Sequence, residues 1–260
     1  MSASEFLDRI GDRGPRSPTA ETLTRLHRAH MMSVPFENLD IPLGRPIELS
    51  IPAFYEKVVR QRRGGFCYEL NGLFAWLLER LGFSVALLSA RVYGDDGPGP
   101  EFDHMLLLIE PKGSSERWIA DVGFGDSFIE PLRFDVSEAV EQHGGEYRLR
   151  GPDDERALWK RRGGDWQPQF VFSVTPRQLP EFADMCRHQQ TSPRSSFTRK
   201  STCSLATPAG RVTLTDDRLI EIAAGARDER RLRDADEVGA LLMDRFGIDL
   251  ADAGRLWPRG

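Results

Sequence analysis

At Phe83 the hydrophobic period of the chain changes, and that change limits the folds open to it. Upstream, Leu23, Leu26 and His30 follow helical spacing after Pro18-Thr19, and Ser50 caps a segment carrying Phe54, Val58 and Val59 that stops before Gly64-Gly65. A third apolar stripe, Leu70, Leu73, Phe74, Leu77, Leu78 and Leu81, runs to Gly82, a left-handed cap position. Downstream come short runs of strand character: Ser84–Val92, Phe102–Ile109, Arg117–Val122, Glu146–Gly151, Arg156–Lys160 and Gln169–Val174. Gly, Pro and Asp clusters separate them, which predicts a barrel or a strongly curved sheet. A short helix near Leu179–Arg187 leads to a second strand group, Thr202–Ala206, Arg211–Thr215 and Arg218–Ile222. Asp234 and Glu237 then resemble a capping box that opens a last helix through Val238, Leu241, Leu242 and Phe246, stopped at Gly247. The stretch Gly94–Pro100 is expected to be a solvated loop, and Asp228-Glu229-Arg230-Arg231 a solvated linker.

At 260 residues, 40% hydrophobic and 29% charged, the chain has enough apolar content for a sizeable core in one large unit or two to three small ones. A net charge of −5 argues against a general nucleic-acid or anionic-membrane surface. Cys67, Cys186 and Cys203 are odd in number, widely spaced and form no C-x-x-C pair. That pattern fits a reducing compartment and argues against a disulfide framework or a zinc site. Met1–Phe6 shows no basic start followed by an apolar run, and no stretch reaches the roughly 20 apolar residues of a membrane helix. The expected location is the cytoplasm, with no nucleic-acid, membrane or metal partner.

The run Arg63-Gly64-Gly65-Phe66-Cys67 places a cysteine in the first turn of the third helix. Unpaired backbone N–H groups and the positive end of the helix dipole favour thiolate there, so Cys67 is a candidate nucleophile. The alternative is a small buried apolar cysteine. Further on, Pro111-Lys112-Gly113-Ser114 is turn chemistry between the strands of His104 and Asp121. A symmetric hairpin over that turn sets His104 directly opposite Asp121, close enough for a carboxylate to hold an imidazole N–H. Nucleophile, base and orienting acid are the roles of Cys–His–Asp catalysis. A His and an Asp that merely end two core strands are the plainer reading. Val122-Gly123-Phe124-Gly125-Asp126 lacks the third glycine of a dinucleotide loop, which is Phe128 here, and follows a hairpin strand. His27, His30, His143 and His188 have no acid at a recognisable spacing and are expected to be surface or satisfied residues; Cys186 and Cys203 are expected to be structural.

Four segments also carry a resemblance: Pro35–Asp40, Arg63–Asn71, His104–Leu107 and Asp121–Asp126. Together, in this order and spacing, they resemble the signature segments of arylamine N-acetyltransferases, and Gln190–Pro193 through Phe197-Thr198 resembles that family's crossing to its last part. The resemblance implies an α+β fold: an N-terminal helical bundle (1–83), a central β-barrel (84–176), a connecting segment (177–198) and a C-terminal α/β lid (199–260). The first two parts would form a cysteine-protease-like core with Cys67, His104 and Asp121 at their junction. It further implies that Phe36, Tyr68, Gly123, Phe124 and Phe197 line the acyl and amine pocket, though core packing is the alternative for the aromatics. Glu37 and Arg63 would be a structural ion pair. The implied activity is transfer of an acetyl group from acetyl-coenzyme A, by way of acetyl-Cys67, to a small aromatic amine or hydrazine. Backbone N–H groups at the start of the Cys67 helix would stabilise the oxyanion. Two rivals stand beside it: a macrolactam-forming amide synthase of the same family, releasing a polyketide, and a thiol protease or transglutaminase-type enzyme.

Overall fold

The structure, a computed structural model, describes residues 1–142 and 145–257. His143 lies outside the described residues. The first part is helical: α1 (Ala3–Arg9), α2 (Ala20–Ser33), a two-residue strand β1 (Phe36–Glu37), α3 (Ile51–Tyr55) continuing into a π-helical turn, and α4 (Cys67–Arg80). Thr19 and Ser50 cap α2 and α3, their hydroxyls accepting from the N–H groups of Thr22 and Ala53. The apolar stripe of α4 is its buried seam: Leu70, Leu73, Phe74, Leu77 and Leu78 are fully enclosed among Phe6, Leu23, Leu26, Phe54 and Val58. Each such side chain contributes roughly 1.5–3 kcal/mol on burial, which fixes the helix on which Cys67 rides.

The sheet that follows comprises β2 (Ser84–Gly94), β3 (Gly97–Pro98), β4 (His104–Glu110), β5 (Trp118–Ala120), β6 (Leu132–Arg133), β7 (Val140–Gln142), β8 (Gly145–Arg150), β9 (Glu155–Arg162) and β10 (Asp165–Ser173). Its order is β6-β5-β4-β2-β10-β9-β8-β7, with β3 folded back on β2, and the neighbours are antiparallel. The sheet wraps into a nearly closed barrel. β4 shows how it meets the helices: Leu107 and Ile109 join the helical core, while Leu106 joins Leu88, Ile119, Phe128 and Phe134 inside the barrel. Burial on both faces explains why this strand is a continuous apolar run. The expected Gly94–Pro100 loop is a tight β2–β3 hairpin instead, pinned by the Gly99 N–H donating to Val92 O at 2.8 Å.

Beyond the barrel lie α5 (Ala183–Thr191), α6 (Ser196–Arg199), β11 (Thr202–Thr207), β12 (Gly210–Thr215), β13 (Arg218–Ala223), β14 (Ala226–Arg231) and α7 (Ala235–Phe246). They form a second sheet, β1-β11-β12-β13-β14, with α7 packed on it. Two features differ from expectation. β14 contains Asp228–Arg231, so the expected linker is an edge strand paired with β13, every residue exposed. Its charges blunt an edge that would otherwise invite another chain. The other is β1, which carries Phe36 and Glu37 out of the helical part to pair with Ser204 and Cys203. Among the described residues no helix is long and apolar enough to cross a membrane.

Candidate active site

α4 begins at Cys67 because the chain before it must thread a narrow space. A Cβ on Gly64 would lie 2.0 Å from Pro35 O, and one on Gly65 2.7 Å from Glu69 Cβ, so neither position tolerates a side chain without rearrangement. Glu69 then reaches back to accept the Phe66 N–H at 3.1 Å, closing the first turn. Cys67 is 3% exposed and sits among Phe66, Tyr68, Met105, Phe182 and Cys186. That burial works against the acidification expected from the helix terminus. Desolvation pushes the Cys67 thiol well above its ordinary range, and the negative charges of Asp103 and Asp121 push the same way; a backbone hydrogen bond at Met105 opposes them. Ionisation needs a proton acceptor close by.

His104, which opens onto the same cavity as Cys67, is the candidate. Its Nε2 lies 2.8 Å from Asp121 Oδ2, both side chains being buried. The register that brings them together is not the symmetric one. Leu107 pairs with Ala120, Leu108 with Ile119 and Ile109 with Trp118, so the hairpin is displaced by two residues and His104 and Asp121 are diagonal neighbours. A two-residue displacement keeps both on one face, whereas a one-residue slip would have separated them. Asp121 is wrapped by neutral donors: its Oδ1 accepts from Asn71 Nδ2 at 2.9 Å and from the Gly123 N–H at 3.0 Å. Burial alone would raise its pKa, but the charge and hydrogen bond of His104, with those of Asn71 and Gly123, hold it below the usual carboxylate value. With Nε2 engaged by Asp121, Nδ1 is the ring nitrogen left for a second partner.

Asn71 and His27 hold this pair in place, His27 being one of the histidines expected to be surface or satisfied and here satisfied. Asn71 Nδ2 also donates to Met105 O at 2.6 Å, and its Oδ1 accepts the Val122 N–H at 2.9 Å, tying α4 to both strands of the hairpin. His27 is fully buried, with Nε2 accepting the Asp121 N–H at 3.1 Å and Nδ1 donating to Ile129 O at 2.9 Å. Burial lowers its pKa to about 4, so it is a neutral imidazole with the proton on Nδ1. His30 is equally buried, edge-on to Phe6 and Phe74, rather than at the surface.

Cys67 and His104 open onto one cavity of about 150 Å³. Phe36, Gly123, Phe124 and Phe197 line it as expected, joined by Val92, Asp103, Gln189 and Ser196. Tyr68 does not. Its ring is buried edge-to-face on Phe66 and its hydroxyl donates to Phe102 O at 2.8 Å, which makes it core. At Gly123 a Cβ would fall 2.7 Å from Cys67 Cα, so glycine lets this loop lie against the start of α4.

Beneath the same helix terminus, Glu37 and Arg63 form the expected ion pair at 2.8 Å, within a larger cluster. Arg63 also reaches Asp40 at 3.1 Å, and Lys57 Nζ binds Asp40 at 2.8 Å and Glu69 at 2.9 Å. Desolvation, opposed by Lys57, raises the Glu69 carboxyl to about 7. A second cavity, about 540 Å³, lies where the Asp126–Ile129 loop meets β9 and the second sheet. Lys160, Arg161, Arg162, Arg211 and Arg227 line it. Asp126 alone meets three of these cations, Lys160 at 2.8 Å, Arg162 at 2.9 Å and Arg211 at 3.5 Å. Ser127, which also lines it, has a buried hydroxyl without a hydrogen-bond partner among the described residues.

The N-acetyltransferase family matches residues 19–255. The arylamine N-acetyltransferase of Mycolicibacterium smegmatis is 37% identical, the alignment covering 98% of this chain and 95% of the relative. The solved M. smegmatis arylamine N-acetyltransferase superposes with a TM-score of 0.92 at 35% identity, covering 98% of this chain and 97% of that one. The Mycobacterium marinum arylamine N-acetyltransferase in complex with CoA superposes with a TM-score of 0.91 at 33% identity, over 98% and 97%.

Proposed function

This chain belongs to the arylamine N-acetyltransferase family, and we propose that it moves an acetyl group from acetyl-coenzyme A to an arylamine or arylhydrazine through acetyl-Cys67. The observation that carries the reading is one cavity holding the Cys67 thiol and an imidazole already oriented by a buried carboxylate. His104 takes the Cys67 proton, and the thiolate sulfur attacks the thioester carbonyl carbon. The carbon–sulfur bond to coenzyme A breaks, and the imidazolium returns the proton to the departing thiolate. In the second half, the amine nitrogen attacks acetyl-Cys67 and gives its proton to His104. The bond to Cys67 breaks and the thiol regains the proton. Asp121 keeps the imidazole in the tautomer that accepts at Nδ1 and supports its positive charge. Backbone N–H groups in the first turn of α4 face the developing oxyanion.

Two further features support this reading. Phe36, Phe124 and Phe197 give the cavity flat apolar walls, and its small volume suits a single-ring amine better than a polyketide chain. The basic cavity beside the Asp126 loop offers cations in excess of its one carboxylate, the chemistry that coenzyme A phosphates require. Mixing the protein with acetyl-coenzyme A in the absence of amine should add one acetyl group, mapped by peptide mass to Cys67 and lost in Cys67→Ala. Acetylation of Cys186 or Cys203 overturns the assignment. Steady-state rates with varied arylamine at several fixed acetyl-coenzyme A levels should give parallel double-reciprocal lines. Converging lines would replace the acyl-enzyme relay with a ternary complex.

A further inference from the structure

One charged group in the catalytic cavity has no place in that chemistry. Asp103 lines the cavity beside Cys67 and His104, only partly buried. Its Oδ1 accepts from Gln189 Nε2 at 2.6 Å, and Gln189 is itself held by the Ser195 hydroxyl at 2.6 Å, so the carboxylate is fixed from behind. Among the described residues no Lys or Arg forms an ion pair with it. Desolvation raises its pKa from the usual carboxylate value, against the favourable influence of His104, a backbone hydrogen bond at Val92, Gln189 and His188. Phe36, Phe124 and Phe197 line the same cavity, so an aromatic acceptor seated there meets a single formal negative charge.

We propose that Asp103 sets the charge preference of the acceptor site, so that aromatic acceptors bearing a second N–H donor or a cationic substituent are favoured over those bearing a carboxylate. Arylhydrazines and aminoalkyl-substituted anilines belong to the favoured class, aminobenzoates to the disfavoured one. A cationic substituent gives the Asp103 carboxylate the partner it lacks; an anionic one faces like charge in a partly desolvated space, where repulsion is weakly screened. The inference rests on the acetyl-transfer reading and goes on to name its acceptor.

The acceptor step is isolated by loading the protein with acetyl-coenzyme A, removing the donor, and following loss of acetyl-Cys67 by intact mass on mixing with para-aminomethylaniline, para-toluidine or para-aminobenzoate near neutral pH. The wild type should react in that order, with about a tenfold difference between cation and anion, the scale of one partly buried charge pair. In Asp103→Asn, which retains an oxygen for Gln189, the cation-to-anion ratio should fall to within about twofold. An unchanged ratio in the variant overturns the proposal, as does a wild type indifferent to charge. If Asp103 served only to orient His104, all three acceptors would slow alike and the ratio would persist. A second readout uses the wild type alone: benzylammonium should protect Cys67 from iodoacetamide at lower concentration than benzoate, and equal protection overturns the proposal without any variant. Failure of acetyl loading itself would overturn the proposed function first, and is seen before any acceptor is added.

Discussion

Two buried polar assemblies meet at the start of α4, and they solve the problem of buried charge in opposite ways. Around Asp121 there is one carboxylate surrounded by neutral donors, from Asn71 and the Gly123 N–H, with His104 as its single titratable partner. Around Arg63 the buried carboxylates Glu37, Asp40 and Glu69 stand against Lys57 and Arg63, with the more exposed Arg45 3.7 Å from Asp40. The first assembly leaves one charge whose counterpart arises only when His104 is protonated. The second satisfies charge with charge, and its geometry is the tie between β1, the π-helical turn and α4. Damage to the first should appear in rate, and damage to the second in stability.

The largest effect should follow from Asp121→Asn. The new amide can keep its oxygen toward Asn71 and Gly123, which places its NH2 against His104 Nε2. That nitrogen must then accept, the ring proton moves to Nδ1, and the imidazole no longer takes a proton from Cys67. Acetyl loading, followed by rapid-quench mass measurement, should fall about 10³–10⁴-fold, while the unfolding midpoint moves little. A normal loading rate would remove Asp121 from the chemistry and leave it as structure.

Arg63→Met should invert that pattern. It leaves Lys57, with the partly exposed Arg45 3.7 Å from Asp40, against Glu37, Asp40 and Glu69, carboxylates no more than 11% exposed. Breaking a buried pair this way typically costs about 3–5 kcal/mol. Urea titration should show the loss, with acetyl loading per folded molecule reduced far less than in Asp121→Asn. Equal damage to both quantities would mean that the ion cluster and the His104–Asp121 pair are one assembly rather than two.

How much of each assembly is legible in the sequence follows from the range of its interactions. Cys67 is readable because a glycine pair and an apolar stripe mark the helix start locally. The shared face of His104 and Asp121 is readable because strand parity survives a two-residue error, although the turn is longer than Pro111–Ser114 implies. The loop runs from Pro111 to Arg117, with the Lys112 N–H tied to Pro18 O at 3.2 Å, a tertiary contact no turn rule foresees. Lys57, Asp40 and Glu69 gave no sign because their pairing depends on how β1 and the π-helical turn pack on α4. Tyr68 could have been placed better: a helix turns by about 100° per residue, so the neighbour of Cys67 points elsewhere. β14 escaped notice because its ladder is made by backbone groups, and its charged side chains read as a solvated segment.

The smallest expected effect is also the one that tests the ion cluster most finely. Glu69 is buried, and desolvation, with the charge of Glu37 adding and that of Lys57 opposing, raises its pKa from an ordinary 4.5 to about 7. Between those two values the folded state holds a proton that the unfolded state has released, so this group's contribution to stability is full below the unfolded pKa and is lost as pH rises through about 7. Glu69→Gln removes the titration, leaves Glu37 and Asp40 matched by Lys57 and Arg63, and keeps a side-chain oxygen for the Phe66 N–H. The variant should therefore gain on the wild type as pH rises from about 5 to 8, by roughly 2–3 kcal/mol in urea unfolding. Asp40 and Asp121, whose pKa values are lowered, act with the opposite sign, contributing stability that is lost as pH falls. They are common to both proteins and cancel in the difference. A difference that stays flat with pH would mean that Glu69 is ionised throughout. A difference that shrinks as pH rises would mean that Lys57 relies on Glu69 more than on Asp40, and the division of labour within the cluster would have to be redrawn.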